Sequence, residues 1–447
     1  MAPIDFIDPT NIRTLFSRAM SDMYRAEVPQ YSALLGLVAD VNRRTLERDP
    51  ALRARLESEG GLDRLDVERH GAIRLGTAQE LATMRRLFTV MGMQAVGYYD
   101  LSIAGVPVHS TAFRPVDDAA LAHNPFRVFT SLLRLELIED ADLRAEAAGY
   151  LAARQIFTPG ALELIEAHER QGGLSELQAQ LFVREALETF RWHRQATVPL
   201  ATYRRLLDAH RLIADVVSFR GPHINHLTPR TLDIDAVQAE MPARGITPKA
   251  VIEGPPRRAC PILLRQTSFM ALEEPILFEG ASGTHTARFG EVEQRGVALT
   301  QRGRQLYDEL LASVPAGPTY ASDLARAFAA LPDDWASLRA GKLAFFRYRV
   351  LNHAKAKPGD TLNDLVARGV VGLEPIIYED FLPVSAAGIF RSNLGGDRAH
   401  NYSAKASRAS FEQALEQPVL DELDLYAQAE QASIAAVWAD LGLGTSQ

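Results

Sequence analysis

Val67-Glu-Arg-His-Gly-Ala-Ile-Arg74, followed by Thr77-Ala-Gln-Glu80, is the stretch that decides the fold class of this chain. The first run is short, contains a glycine and alternates between polar and apolar residues, which predicts a strand. Thr77 and Glu80 have the spacing of a capping box, so a helix is predicted to begin there. Two more strand-like runs follow at 95–102 and 106–113. The segment is therefore predicted to be a βαββ unit.

A second unit with a similar order of elements is predicted further along the chain. Its strand-like run at 222–228 precedes a short helix at 233–241, and strands are predicted at 262–272, 275–279 and 284–295. The order is β-α-β-β-β. The two units have no obvious sequence identity, so an internal repeat is inferred from the order of elements alone.

The composition excludes several classes of protein. The chain has 447 residues, 47% of them hydrophobic, and its 48 basic and 56 acidic residues give a formal charge of -8. An acidic surplus argues against a general nucleic-acid binder. No run approaches the roughly 18 apolar residues of a membrane span, and the start of the sequence lacks the order of charges of a signal peptide. The single cysteine, Cys260, excludes an internal disulfide, so we expect a cytoplasmic protein.

Residues that typically bind metals lie on the predicted strands of both units. They are His70, the pair His223 and His226, and the pair Glu291 and Glu293. Residues two apart on a strand share a face, so Glu291 and Glu293 point the same way, whereas only one of the two later histidines can enter a common pocket. Two imidazoles and one carboxylate, with open positions left over, suit non-haem Fe(II) oxygen chemistry. A core or surface role is commoner for any single histidine, but the first-strand position of one His in each unit favours a metal.

Arg74 shares the predicted strand face of His70. Four residues of strand span about 13 Å, so a cation there suits the far end of a short substrate whose near end chelates a metal at His70. The fork of an arginine bonds both oxygens of a carboxylate at once. The alternative is that Arg74 pairs with a neighbouring acid of the protein.

Several stretches resemble the 2-oxoadipate dioxygenase/decarboxylase family. They are His70-Gly-Ala-Ile-Arg74, His223-Ile-Asn-His226-Leu-Thr-Pro-Arg, Arg288-Phe-Gly-Glu291-Val-Glu-Gln-Arg-Gly-Val-Ala-Leu-Thr and the run from Tyr378 to Gly395. The similarity covers nearly the whole chain. The family is related to vicinal-oxygen-chelate proteins. The resemblance therefore implies an α+β fold in which paired βαβββ modules form a curved mixed sheet around a metal, with large helical additions.

The implied domain organisation is a single elaborated catalytic domain over 1–447. Its parts are a helical N-terminal segment at 1–64, a first module at 65–115, a helical insertion at 116–220, a second module at 221–299, and a helical C-terminal part at 300–447 with a substrate-side segment at 374–395. The resemblance assigns no role to the helical blocks.

The resemblance implies Fe(II) bound by His70, His226 and Glu291, with substrate contacts from Arg74, Val384 and Ser385. Glu291 is preferred to Glu293 because its Glu-x-x-Gln-Arg spacing resembles the metal-binding strand of related oxo-acid dioxygenases. Glu293 remains the alternative ligand.

The implied reaction converts 2-oxoadipate and O2 to 2-hydroxyglutarate and CO2, a step of lysine breakdown. In this reaction the 2-oxo acid chelates the metal and serves as its own reductant. The expected partners of the protein are therefore 2-oxoadipate and O2, without nucleic acid or membrane. Two alternatives stay open. One is a metal-dependent isomerase or lyase on the same scaffold, and the other is a non-catalytic binding protein for small oxo acids. The sequence does not define the oligomeric state.

Overall fold

The computed structural model describes residues 5–58, 61–269, 272–315, 317–353, 356–357, 359–382 and 399–443. The strands are β1 (Arg69–Leu75), β2 (Gln94–Asp100), β3 (Val108–Arg114), β4 (Arg127–Leu133), β5 (Leu227–Pro229), β6 (Leu264–Ser268), β7 (Leu272–Phe278), β8 (Ala281–Arg288), β9 (Glu291–Arg295), β10 (Phe346–Val350) and β11 (Val371–Pro375).

The α-helices lie before, between and after the strands. They are α1 (Pro9–Glu27), α2 (Pro29–Arg48), α3 (Pro50–Ser58), α4 (Gly61–Val67), α5 (Ala78–Val90), α6 (Asp118–His123), α7 (Ala141–Ala153), α8 (Pro159–Gln171), α9 (Glu176–Leu187), α10 (Leu200–Ala209), α11 (Arg211–Val217), α12 (Ile234–Glu240), α13 (Gln301–Ala312), α14 (Tyr320–Ala327), α15 (Trp335–Ala340), α16 (Leu362–Ala367), α17 (Ala399–Leu415) and α18 (Glu422–Leu441). In the part of the chain that the structure describes, none of these helices combines the length and apolar character needed to cross a membrane.

The first module is a complete βαβββ unit. Its strands lie in the order β2-β3-β4-β1, with β1 parallel to β4 and the other neighbours antiparallel. The predicted capping box of Thr77 and Glu80 begins α5. Strand β4 lies inside the segment 116–220 that the sequence analysis assigned to a helical insertion. It was missed because every residue of Arg127–Leu133 is buried, so the strand lacks the polar alternation of a half-exposed one.

The second module repeats this arrangement with an insertion. Strand β9 is antiparallel to β6 and is joined in parallel to the end of β5 through a bridge between Arg230 and Glu293. Glu253 bridges the free edge of β6 at Gln266. The order of the second module, from the segment at Glu253 through β6 and β9 to β5, therefore matches the order β2-β3-β4-β1 of the first module. Because β1 and β5 pair antiparallel, the two modules meet at their first strands. The predicted α+β fold with paired modules and helical additions is confirmed.

Two predicted strands of the second module were wrong in extent. Of the run 222–228, only its end belongs to a strand, β5. The predicted strand 284–295 is two strands, β8 and β9, interrupted at Gly290. A Cβ atom on Gly290 would lie 1.9 Å from Cε1 of Phe269, so only glycine allows this close approach. Strand β8 pairs with β7 in a separate hairpin inserted between β6 and β9.

Two apolar cores hold the helices against the modules. One joins α1, α2 and α9 to α5, through residues such as Phe16, Phe88 and Phe182. The other joins α10, α11 and the C-terminal helices to β3 and β4, through residues such as Phe129 and Phe346. Strands β10 and β11 form a small antiparallel sheet within this C-terminal part. The helices thus bury the junction of the two modules, where the predicted ligands lie.

Candidate functional site

The three predicted metal ligands come together where the modules meet. His70 lies on β1, His226 directly precedes β5, and Glu291 is the first residue of β9. All three are buried, and their ligand atoms lie within 4.8 Å of one another. His70 Nε2 is 3.0 Å from Glu291 Oε1, and His226 Nδ1 is 3.4 Å from Glu291 Oε2. The pairing of β1 with β5, and of β5 with β9, makes neighbours of residues up to 221 positions apart.

His226 has the properties expected of a metal ligand. Both of its ring nitrogens are buried and lack a well-formed hydrogen bond within the described residues. An imidazole buried in this way is costly unless a ligand satisfies it. Burial lowers the pKa of His226, Glu291 opposes that shift, and the positive charges of His70 and Arg74 add to it. The ring is therefore held neutral, the form that binds metal. Two imidazoles and a carboxylate fit a divalent transition metal.

Glu293 contacts His70 from the side opposite Glu291. Its Oε2 lies 2.9 Å from His70 Nδ1, whereas Glu291 lies at Nε2. Glu293 also accepts two hydrogen bonds of 2.8 Å from Arg295 and one of 3.3 Å from Arg127. Burial opposes the charge of Glu293, but Arg295, His70 and Arg127 hold its pKa well below the usual range. This arrangement is typical of a carboxylate that orients a metal-binding histidine.

Glu291 is held by two residues that the sequence analysis did not select. Gln266 donates from Nε2 to Glu291 Oε1 at 2.7 Å, and Thr228 donates to the same oxygen at 3.2 Å. Gln266 lies on β6, which pairs with β9 so that Ser268 is opposite Glu291. Polar residues inside the predicted strands 222–228 and 262–272 were the available signal, because a polar group that becomes buried requires a partner.

Arg74 pairs with a carboxylate from the helical insertion. Its Nη1 donates to Oδ2 of Asp215, on α11, at 2.8 Å, and its side chain remains 27% exposed. The alternative that Arg74 pairs with an acid of the protein thus agrees with the geometry. It does not exclude a substrate contact, because the guanidinium forms no other hydrogen bond within the described ranges.

His223 lies outside the group of His70, His226 and Glu291 (the metal group). The sequence predicts this position of His223, but for a different reason. Residues 222–226 are not a strand, so alternation does not separate His223 from His226. Instead His223 Nε2 lies 3.3 Å from Oδ1 of Asp215, and its ring packs edge-on against Trp192 at 4.6 Å between centroids.

Comparison with known proteins identifies the family. The sequence profile of the 2-oxoadipate dioxygenase/decarboxylase family matches residues 16–393. The chain belongs to this family. It is 61% identical to the 2-oxoadipate dioxygenase/decarboxylase of Escherichia coli over 436 residues, covering 96% of this chain and 98% of that protein. It is 56% identical to the protein of the same description from Pseudomonas putida over 459 residues, covering 99% of each.

The chain is similar to a solved crystal structure over almost its full length. Hydroxyglutarate synthase from Pseudomonas putida, solved in complex with 2-oxoadipate, superposes with a TM-score of 0.92 at 56% identity. The match covers 99% of this chain and 100% of that one.

In this chain, a network of buried charges lies beside the metal group and meets it through Arg127 and Glu293. Glu68 accepts hydrogen bonds from Arg64, Arg127 and Arg230, and Glu379 accepts from Arg64 and Arg127. Buried charges of this kind need partners on every side. The network links Glu379 to Arg127 on β4. Arg127 in turn contacts Glu68, which directly precedes β1, and Glu293 on β9.

The segment that follows Glu379 reaches the metal group. The Phe381 ring packs edge-on against His70, with centroids 5.0 Å apart. The predicted substrate-side segment 374–395 is described as far as Leu382. The predicted substrate contacts Val384 and Ser385 lie outside the described residues.

Proposed function

We propose that this chain is an Fe(II)-dependent dioxygenase/decarboxylase that converts 2-oxoadipate and O2 to 2-hydroxyglutarate and CO2. One observation carries the proposal: the buried group of His70, His226 and Glu291 occurs in a chain 56% identical to a hydroxyglutarate synthase crystallised with 2-oxoadipate. The family membership of the chain supports the same reaction.

His70, His226 and Glu291 are the residues that would hold the iron. When bound, the metal would supply Lewis-acid and redox chemistry for the 2-oxo acid and dioxygen. Glu293 keeps His70 turned with Nε2 towards Glu291, and Gln266 restrains the Glu291 carboxylate. These contacts pre-organise the ligands, which otherwise would have to be ordered on binding.

Aromatic rings limit water at the metal group. Phe381 packs against His70 with centroids 5.0 Å apart, and Phe289 packs against His226 at 4.8 Å. Exclusion of water suppresses side reactions of activated oxygen. The proposed reaction balances without a net proton, because the dianionic oxo acid and O2 together carry the same atoms and charge as the dianionic hydroxy acid and CO2. One oxygen atom enters the new carboxylate and the other the hydroxyl group.

Arg74 is the residue proposed to bind the distal carboxylate of the substrate. It is partly exposed and close enough to His226 for its charge to contribute to the lowered pKa of that histidine. Its fork can bond both carboxylate oxygens. Val384 and Ser385 remain proposed substrate contacts on the grounds of the family resemblance.

Oxygen consumption tests the proposed function directly. Protein loaded anaerobically with Fe(II) should consume O2 when 2-oxoadipate is added, and should release one CO2 and one 2-hydroxyglutarate per O2. Isotopically labelled dioxygen should appear in both the carboxylate and the hydroxyl group of the product. Turnover without O2 uptake would support an isomerase or lyase instead, and saturable binding of 2-oxoadipate without turnover would support a binding protein.

A further inference from the structure

The helical insertion supplies the residue that holds Arg74. Asp215 lies on α11, is 141 positions from Arg74 in sequence, and accepts from Nη1 of Arg74 at 2.8 Å. The Asp215 side chain is only 7% exposed. A charge buried this deeply needs several partners, and each partner restricts where the carboxylate can lie.

Two histidines lie at the other oxygen of Asp215, and one of them, His285, forms a hydrogen bond with it. His285, on β8, places Nε2 at 2.8 Å from Oδ1, and His223 places Nε2 at 3.3 Å from the same atom. Because a carboxylate only accepts, the Nε2 atom of His285 carries the hydrogen. Its Nδ1 then accepts from the hydroxyl of Tyr203 at 2.9 Å. Oδ1 is thus occupied by the hydrogen bond from His285, with His223 beside it, and Oδ2 remains for Arg74.

The contact between Arg74 and Asp215 leaves part of the Arg74 guanidinium able to bind a second anion. Only Nη1 is engaged by Asp215 among the described residues, so the rest of the fork remains for a ligand. Asp215 stays charged beside Arg74. Burial opposes that charge, but His223, His285 and Arg74 together hold the pKa of Asp215 well below the usual range.

We propose that Asp215 is the positioning residue that sets the selectivity of this site for dicarboxylic 2-oxo acids, by holding Arg74 at a fixed distance from the metal group. The proposal rests on the proposed function. It assigns to the helical insertion a role in reading the far end of the substrate. Because the hydrogen bond from His285 anchors Asp215, the cation cannot follow a ligand of a different length, so the site selects the position of the distal carboxylate as well as its charge.

The test compares Asp215→Asn with the parent on two substrates, 2-oxoadipate and the monoacid 2-oxohexanoate. Because misplacing a group by about 1 Å can cost on the order of 10²-fold, we expect kcat/KM for the diacid to fall at least about tenfold, mainly through KM. Use of the monoacid should stay within about twofold, the scatter expected of an uncoupled site. Iron content should be unchanged. Anaerobic calorimetric titration with 2-oxoadipate should show the same loss of affinity.

The matched control is Asp235→Asn. Asp235 forms a bidentate pair with Arg265 through contacts of 2.7 and 3.0 Å, on the opposite face of β6 from Gln266. This variant should keep the parent's preference for the diacid. In the Arg74→Ala background, Asp215→Asn should have little further effect on the diacid, because the two residues act as one unit.

The outcomes separate this inference from the proposed function. A parent protein that fails to consume O2 with 2-oxoadipate overturns both. A parent that turns over, with Arg74→Ala losing diacid selectivity while Asp215→Asn retains it, overturns the role of Asp215 alone. Equal losses on both substrates in Asp215→Asn also overturn it. If Asp215→Asn does not fold, Asp215→Glu keeps the charge but displaces Arg74. It should change the ratio of kcat/KM for six-carbon over five-carbon 2-oxo diacids by at least about threefold, and an unchanged ratio would refute the proposal.

Discussion

Replacing Glu293 by Gln separates the role of that residue from the role of Glu291. The carboxylate of Glu293 lies 2.9 Å from His70 Nδ1 and accepts from Arg295 and Arg127. The amide of Gln keeps the shape of the side chain that contacts Nδ1 but removes the negative charge behind the ring. Loss of such an outer contact typically weakens metal binding by about 10–100-fold. Glu291→Gln removes a ligand itself and should abolish metal binding at the same concentrations.

The stability of the Glu293 variant can be worked from its contacts. Breaking a buried ion pair by removing one partner costs about 3–5 kcal/mol. Arg127 retains Glu68 and Glu379, and Arg295 retains the carbonyls of Tyr378 and Asp380. The loss in free energy of unfolding should therefore lie near the lower figure, about 3 kcal/mol, as measured by urea denaturation of the metal-free protein.

The assay for metal binding is competition for Fe(II) with a chelator of known affinity, under anaerobic conditions. Glu379→Gln is the control, since Glu379 belongs to the same buried network without contacting either histidine of the metal group. It should lose stability but keep metal affinity. Undiminished binding in Glu291→Gln, together with complete loss in Glu293→Gln, would refute the assignment and make Glu293 the ligand.

Three further predictions concern other residues of the site. Arg74→Ala should keep iron but lower kcat/KM for 2-oxoadipate by about 10²-fold or more, because a half-made charged pair costs about 3–5 kcal/mol; equal losses with a monoacid would contradict this. His226→Gln should lose iron, measured by metal analysis, whereas His223→Gln should keep it and lose less activity. Equal iron loss in the two would contradict the separation of their rings. Gln266→Leu removes the 2.7 Å bond to Glu291 and should weaken Fe(II) about tenfold in the chelator assay, with unchanged affinity as the contrary result.

Local interactions explain why part of the fold was predictable. The capping box at Thr77 and Glu80 acts within one helical turn, and the predicted start of α5 is correct because no distant contact is needed to satisfy it. Strand β4 shows the opposite case. Polar and apolar residues are buried alike along this strand, so the alternation from which strands are recognised is lacking, and its pairing with β1 and β3 identifies it as a strand.

Residue type and predicted strand position singled out His70, the pair His223 and His226, and the pair Glu291 and Glu293, because they restrict which side chains can bind a metal; the family resemblance chose among them. The sequence pattern left Glu291 and Glu293 on one strand face, and the tertiary structure decided how they differ: each lies at a different nitrogen of His70. The partner of Arg74 was likewise decided by packing, since α11 brings Asp215 from 141 positions away. Periodicity reports which face a side chain takes, whereas the identity of the group that it meets depends on chain segments that only folding brings together.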